Sequence, residues 1–407
     1  MSNAGLPTHM HSESVDIIIV GAGLVGAPLA AVLGNAGWSV ALLDEKPQAP
    51  KDSVASTASL DALSQRCTAL SLGSKQWLAE HSLWDMIADE ACPIEQVCVT
   101  HKGYFGATRL HAHELDADAV GFVVNNDRLS NSVLQLISET SVKHFSGVRV
   151  SSVSYEDDTV QVSCTRNLKV RGRLLVAADG VSSMVRESAG IQTRQVDYDQ
   201  SAVLGSVQLS NAHNGVAYER FTPSGPLALL PQSGQYMSFV DCIDPGEQAD
   251  IEQLDDAAYL DRLQTRFGHR LGSFVAVGPR FVIPLVRIEA TQQVAHRTIL
   301  LGNAVRLLHP VGGQGYNLAL RDVAELVRLL TGESGSTDPG DKQLLARFIE
   351  LRSRDQKQVV LFTDALARGF RGRASLPGHF RSLCLLGLDT LSPARREFAK
   401  RTMGLAR

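Results

Sequence analysis

The first apolar run, "VDIIIV" at residues 15–20, is short, apolar but for Asp16, and rich in β-branched side chains. A strand of a parallel sheet covered on both faces has this composition, because neither face meets water. "GAGLVG" follows at once, and "APLAAVLGNAGW" then places apolar residues at helical spacing as far as Gly37. "SVALLD" is a second buried strand ending at Asp44, so the chain opens with a strand–helix–strand unit. Residues 76–121 are mixed, and "FVVNNDRLSNSVLQLI" at 122–137 reads as a strand running into a helix. "GVRVSSVSYEDDTVQVSCT" alternates like a β-meander, and "RLLVAADG" is another buried strand closed by a turn.

From about 193 to 286 the pattern is β-like with Pro and Gly punctuation, interrupted by one helical insert, "DIEQLDDAAYLDRLQTRF". "TILLGNA" then reads as a strand and "NLALRDVAELVRLL" as a helix. "GESGSTDPGD" at 332–341 is the best linker, and two or three helices follow it, with a break at "RGRASLPG". The predicted class is α/β, with a discontinuous nucleotide-binding domain of Rossmann type at 14–75, 122–192 and 287–340. A β-rich substrate domain is expected at 76–121 and 193–286, and a helical region at 341–407.

Length and composition add bounds. The 407 residues are enough for two or three domains, and 44% hydrophobic with 20% charged residues is ordinary for a globular protein. Six cysteines, at 67, 92, 98, 164, 242 and 384, form no CxxC pair and no metal-ligand spacing. They read as reduced thiols of a cytoplasmic protein. The N-terminal stretch lacks an apolar core, so no signal peptide is expected, and no apolar run is long enough to span a bilayer. No HxH or carboxylate pair has ligand spacing, so no metal is expected.

The charge is uneven. From Lys342 to Arg407 there are 14 Lys and Arg against 5 Asp and Glu, a net of +9, so the first 341 residues hold −13 of a total of −4. Such a tail is either a solvated helical face or a surface for an acidic partner or the inner membrane. Nucleic acid is disfavoured, because the tail lacks interleaved aromatics and the body is acidic.

Three stretches carry candidate chemistry. In "GAGLVG", Gly21 permits a tight turn, Gly23 lets backbone approach a pyrophosphate, and Gly26 allows helix and strand to touch. Asp44 is placed to accept ribose hydroxyls. In "AADGVSSMVR", Asp179 and Gly180 form a turn that exposes backbone N–H groups and a carboxylate, with Ser183 and Arg186 following. In "GNAVRLLHPVGGQGYNLALRD", Asn303 ends a strand, His309-Pro310 restrict the approach, and Gly312, Gly313 and Gly315 bring backbone close to something flat. A helix beginning near Gly315-Tyr316-Asn317 would point its dipole at an anion there.

These three motifs in this order resemble the class A flavoprotein monooxygenases, which have the para-hydroxybenzoate hydroxylase fold. "HPVGGQGYNLALRD" is similar to the signature of the ubiquinone-biosynthesis hydroxylases, departing from it at Ala319, where the pattern has glycine. "AYERFTPSGPLALLP", "AHRTILLGNAVRLLHP", "FTDALARGF" and "SPARREFAKRTMG" are most similar to the 2-octaprenyl-6-methoxyphenol hydroxylases of that group.

The resemblance implies one extended FAD, with ADP at residues 21–44 and the flavin ring under 302–317. It implies FAD contacts at Gly21, Gly23, Gly26, Asp44, Arg66, Arg128, Asp179, Gly180, Asn303, Gly312, Gly313, Gly315, Tyr316 and Asn317. Asn303 stands where most relatives have aspartate, and it keeps an acceptor oxygen for the ribityl hydroxyls. NAD(P)H would reduce the flavin, O₂ would add to give a C4a-hydroperoxide, and the distal oxygen would pass to a polyprenylated phenol.

His309 and Pro310 are the candidate catalytic residues, His309 as acid/base or as a loop support. Tyr218 and Arg220 are candidate substrate contacts from a strand expected to roof the flavin; Glu219 and Arg220 are expected to pair with each other. His111 and His113 alternate on an expected strand as an exposed pair. A small soluble aromatic as substrate, a flavin reductase acting on prenyl double bonds, and an FAD-bearing subunit of a quinone-biosynthesis assembly are the alternatives.

Overall fold

The computed structural model describes residues 11–47, 62–332, 338–369 and 375–404. Its centre is a six-stranded sheet in the order Val294–Ala295, Thr298–Leu300, Leu174–Ala177, Ile17–Val20, Val40–Asp44, Lys143–Ser146. All neighbours are parallel except the short hairpin at one edge. The apolar run has a direct cause in this position. Ile17 and Ile19 face a core built with helices Gly26–Asn35 and Gln314–Thr331. Ile18 and Val20 face the opposite core, made with the β-meander. A period of two on a sheet covered on both sides leaves no position for a polar residue.

The meander is a four-stranded sheet, His11–Ser14, Leu168–Gly172, Val160–Cys164 and Val150–Tyr155, closing that second face. A three-stranded sheet joins Cys67–Ser71, Gly121–Asn125 and Cys92–Ile94. Asn125 then caps helix Asn126–Ile137 by accepting Arg128 N at 2.9 Å, so the expected strand-to-helix passage is present.

The remaining large sheet has nine strands, including Gln96–His101, Thr193–Leu209, Val216–Thr222, Gly225–Pro231, Tyr236–Ile243 and Phe281–Ala290. Helix Asp256–Phe267 covers one of its faces through Tyr259, Leu263 and Phe267. The expected single helical insert is two helices, Gln248–Gln253 and Asp256–Phe267. Asp255 breaks it, because its carboxylate caps the second helix from Ala258 N at 2.8 Å. The boundary expected between 286 and 287 falls inside strand Phe281–Ala290, whose last residues pair with Arg306–Leu307.

Three helices, Lys342–Gly369, Ser375–Thr390 and Ser392–Thr402, form the C-terminal part. Most of the expected linker at 332–341 lies outside the described residues, as does the start of the expected break after Gly369. The helix from Ser375 runs through "SLPG", with Pro377 in its first turn, where a missing N–H removes no helical hydrogen bond. Several basic side chains of this region are ion-paired: Arg352 with Asp322 and Asp355, Arg395 with Glu114, and Arg347 with Glu350. The expected strand through "HAH" stops at His111; His113 lies in a 3₁₀ turn, with the two rings 5.0 Å apart.

Candidate active site

Strand Ile17–Val20 runs into Gly21, whose φ is +102°, and a Cβ there would lie 2.4 Å from the carbonyl oxygen of Ala178. A Cβ on Gly26 would lie 1.9 Å from the carbonyl oxygen of Gly21. Both positions therefore require glycine by contact. Gly23 differs: nothing stands within 4 Å of where its Cβ would be, so this edge of the loop is open. Asp44 bonds back to the loop, accepting Ala22 N at 2.5 Å on Oδ2 and Lys46 N at 2.6 Å on Oδ1.

The second and third motifs meet the first. Ala178 packs on Gly21 and Gly26, and the next residue, Asp179, accepts Val185 N at 3.2 Å on Oδ2. Its Oδ1 is buried with no partner among the described residues, and desolvation raises the carboxyl above its usual range. Gly180 has φ +87° and open space before it. Arg186 donates to the Ala304 carbonyl at 3.0 Å, tying the second motif to the third. Gly302 lies against Val25, Asn303 beside it is exposed, and the Tyr316 hydroxyl donates to the Leu24 carbonyl at 2.9 Å. Segments nearly 300 residues apart thus border one site.

The loop between strand and helix is held from several sides. His309 is buried, and its Nδ1 accepts Val311 N at 3.2 Å, so the neutral ring carries its proton on Nε2. Nε2 has no partner among the described residues. The ring meets Tyr198 edge-on at 4.9 Å, and desolvation pushes its pKa down to about 4. Gly312 and Gly313 have φ of +69° and +60°, two successive left-handed residues that bend the chain into helix Gln314–Thr331. Gly312 and Gly315 are exposed, so backbone at the start of helix Gln314–Thr331 belongs to this same surface.

Asn317 is fully engaged through its side chain. Oδ1 accepts Ser71 N at 2.8 Å and Ser74 Oγ at 2.7 Å, while Nδ2 donates to Ala69 O at 2.9 Å and Gly313 O at 2.8 Å. That uses both donors and both acceptor positions, so the side chain has none left for a ligand. Asp322, one turn further along, is wholly buried and takes Arg306, Arg352, Gln293 and Gln356. The motif's aspartate therefore locks helix Lys342–Gly369 onto the loop.

The other expected positions are more scattered. Arg66 is exposed, with its guanidinium 4.7 Å above the Phe281 ring. Arg128 is engaged with Glu90 at 2.6 Å. In strand Val216–Thr222 the alternation sends Tyr218 and Arg220 to the face covered by helix Asp256–Phe267. Tyr218 meets Phe267 at 5.3 Å, and Arg220 donates to the Arg266 carbonyl at 3.3 Å and to Thr100 Oγ1 at 3.4 Å. Glu219 is not paired with Arg220, because neighbours along a strand point to opposite faces. It reaches the glycine loop, where its carboxylate faces the Gly312 N–H, and burial raises it to about 7. Period-two alternation separates Glu219 from its neighbours, but the sequence does not say which face meets the loop.

A family model for the FAD binding domain matches residues 14–363, which is most of the chain. The chain belongs to the FAD binding domain family. The ubiquinone hydroxylase UbiL of Rhodospirillum rubrum is 34% identical over 99% of this chain and 92% of its own. The 3-demethoxyubiquinol 3-hydroxylase of Escherichia coli is 28% identical over 97% of this chain and all of its own. Among solved structures, the p-nitrophenol 4-monooxygenase of Pseudomonas putida superposes with a TM-score of 0.77 at 19% identity, covering 97% of this chain and all of that one. It supports the expected fold class.

The residues present fit FAD. Open backbone at Gly23 and the start of helix Gly26–Asn35 suit a pyrophosphate. The unpartnered Asp179 Oδ1 is an acceptor for a hydroxyl, and the exposed Gly312–Gly315 backbone suits a flat ring. Among the described residues no group of three His, Cys, Asp or Glu is arranged to hold a metal ion, and no helix is long and apolar enough to cross a membrane.

Proposed function

We propose that this protein is an FAD-dependent monooxygenase that hydroxylates the ring of a polyprenylated phenol in ubiquinone biosynthesis, with NAD(P)H and O₂ as cosubstrates. The carrying observation is the convergence of the Gly21, Asp179 and Gly302–Asn317 segments on one site in a chain related along its length to a ubiquinone hydroxylase. FAD, when bound, supplies the hydride acceptance and the activation of oxygen. The chain supplies position and charge.

Gly21, Gly23 and Gly26 hold the pyrophosphate against backbone, and Asp44 accepts the ribose hydroxyls with the lone pairs that Ala22 and Lys46 leave unused. Asp179, Gly180 and Asn303 hold the ribityl chain. The backbone of Gly312, Gly313, Gly315, Tyr316 and Asn317 borders the flavin ring. The helix dipole there favours negative charge on the reduced ring. His309 stays neutral and shapes the loop with Pro310 rather than carrying charge. Arg66 and Arg128 approach the dinucleotide from the three-stranded sheet, Arg128 sharing its charge with Glu90. Residues 14–75, 122–192 and the chain from the end of strand Phe281–Ala290 to 340 hold the cofactor, and 76–121 with 193 up to that strand close over the substrate. Contact with a quinone-synthesis assembly or the inner membrane falls to the basic charges of the C-terminal helices left outside the internal ion pairs.

Oxygen uptake by the purified protein with a polyprenylated phenol should match NAD(P)H oxidation one to one and yield a hydroxylated ring by mass spectrometry. NAD(P)H consumption without O₂, giving a saturated prenyl chain, would instead establish the reductase alternative.

A further inference from the structure

Glu219 is a carboxylate set deep in the protein on the face of the nine-stranded sheet that meets the glycine loop. Its neighbours in the flanking strands are Val99 and Ala228, and Phe221 follows it on the same face. Phe221 packs with Val311, Leu285, Ala202 and Ala367. The carboxylate faces the Gly312 N–H, and its Oε1 is buried with no partner among the described residues. The residue as a whole keeps part of its surface. A buried acceptor with an unused oxygen, beside the loop that borders the flavin ring, is suited to a donor from a ligand.

We infer that Glu219 is the general base that takes the proton of the substrate's phenolic hydroxyl, an assignment that rests on the hydroxylase reading above. The phenol O–H bond breaks, its electron pair stays on oxygen and enriches the ring carbon to be hydroxylated, and the proton sits on the Glu219 carboxylate. It returns to the phenolate oxygen of the product, so the residue ends each cycle as it began. Desolvation raises the carboxyl from 4.5 to about 7, which makes the carboxylate roughly 300-fold more basic toward a phenol than an ordinary glutamate.

Among the described residues no charged side chain acts on it. Val99, Ala228 and Phe221 are apolar, the loop offers a backbone N–H, His309 stays neutral, and Leu366 and Ala367 are the helix residues of this core. The Cys242 thiol, which feels Glu219, is held neutral by burial. Tyr218 and Arg220, on the opposite face, take no part.

The test uses the flavin-loaded protein and 2-geranyl-4-nitrophenol, whose phenolate absorbs visible light. Glu219→Gln keeps an acceptor for Gly312 N–H while removing the basic oxygen, so a purely structural role survives it. Titrated from about pH 5 to 9, the wild-type complex should show the probe's phenolate band at lower pH than the Gln variant, with the protonated-carboxyl infrared band still present as the phenolate appears; the Gln variant should hold the neutral phenol to higher pH. Hydroxylation by the Gln variant should fall about 10²- to 10⁴-fold, with its pH limb moved up toward the substrate's own ionisation. Glu219→Asp, retaining a carboxylate, should ionise part of the bound probe and serves if the Gln variant folds poorly. Equal ionisation in wild type and Gln variant, or failure of the wild type to bind the probe, overturns the assignment. Ionisation of the probe by wild type without hydroxylation of any phenol would sink the hydroxylase reading while leaving the base in place.

Discussion

Two glycines of the first loop make opposite demands, and a pair of alanine variants separates folding from cofactor binding. In Gly26→Ala the new Cβ lies 1.9 Å from the Gly21 carbonyl oxygen and 3.3 Å from Ala178 Cβ. Relief to an ordinary separation of about 3.5 Å moves backbone by about 1.5 Å where strand, loop and helix are all packed. Overpacking of this kind costs about 1–3 kcal/mol or more. In Gly23→Ala nothing lies within 4 Å, and Gly23 is not in the left-handed region. The apoprotein should then be unchanged or gain about 0.4–1 kcal/mol from a stiffer unfolded chain.

The Gly23 methyl group instead occupies the open edge where a pyrophosphate approaches. Losing one charge-assisted hydrogen bond costs about 1.5–3 kcal/mol, which is roughly a 10- to 150-fold weaker Kd. Urea denaturation of the apoproteins and titration with FAD by flavin fluorescence read the two quantities separately. Wild-type FAD affinity in Gly23→Ala, or an apoprotein as destabilised as Gly26→Ala, would refute the placement of the pyrophosphate at this loop.

Asn317→Ala should destabilise by about 2–4 kcal/mol in urea, because it strands Ser71 N and the Ala69 and Gly313 carbonyls in the interior; an effect below 0.5 kcal/mol in magnitude, taken as roughly the noise of a surface change, would show that the loop does not depend on it. His309, depressed from 6.5 to about 4, must remain neutral in the fold, so the unfolded chain binds the extra proton between those values. Its contribution to stability is complete above pH 6.5 and is lost as pH falls toward 4, by about 1.4 kcal/mol per pH unit inside that window. His309→Asn keeps an acceptor near Val311 N and should flatten that slope, and a proton NMR titration of His309 centred near 6.5 would contradict it.

The chemistry of the glycine loops was legible in the sequence because it is local. A strand ending in Gly21, Gly302 before an exposed Asn303, and Gly312-Gly313 before a helix are set by backbone conformation within a few residues. The buried strands were legible for a related reason: a sheet covered on both faces forces an apolar run whatever its partners are. Side-chain destinations were not local. "YER" alternates equally well in either phase, and only the neighbouring strands and the covering helix decide that Glu219 meets Gly312 while Tyr218 and Arg220 do not.

The same limit hid the engagement of Asn317 with Ser71 and Ser74, about 245 residues earlier, and the hold of Asp322 on Arg352. It also hid the ion pairs that consume part of the basic tail. Backbone geometry is written in neighbouring residues. The partner of a buried charge is chosen by chain segments that meet only after folding, where desolvation makes that choice energetically large.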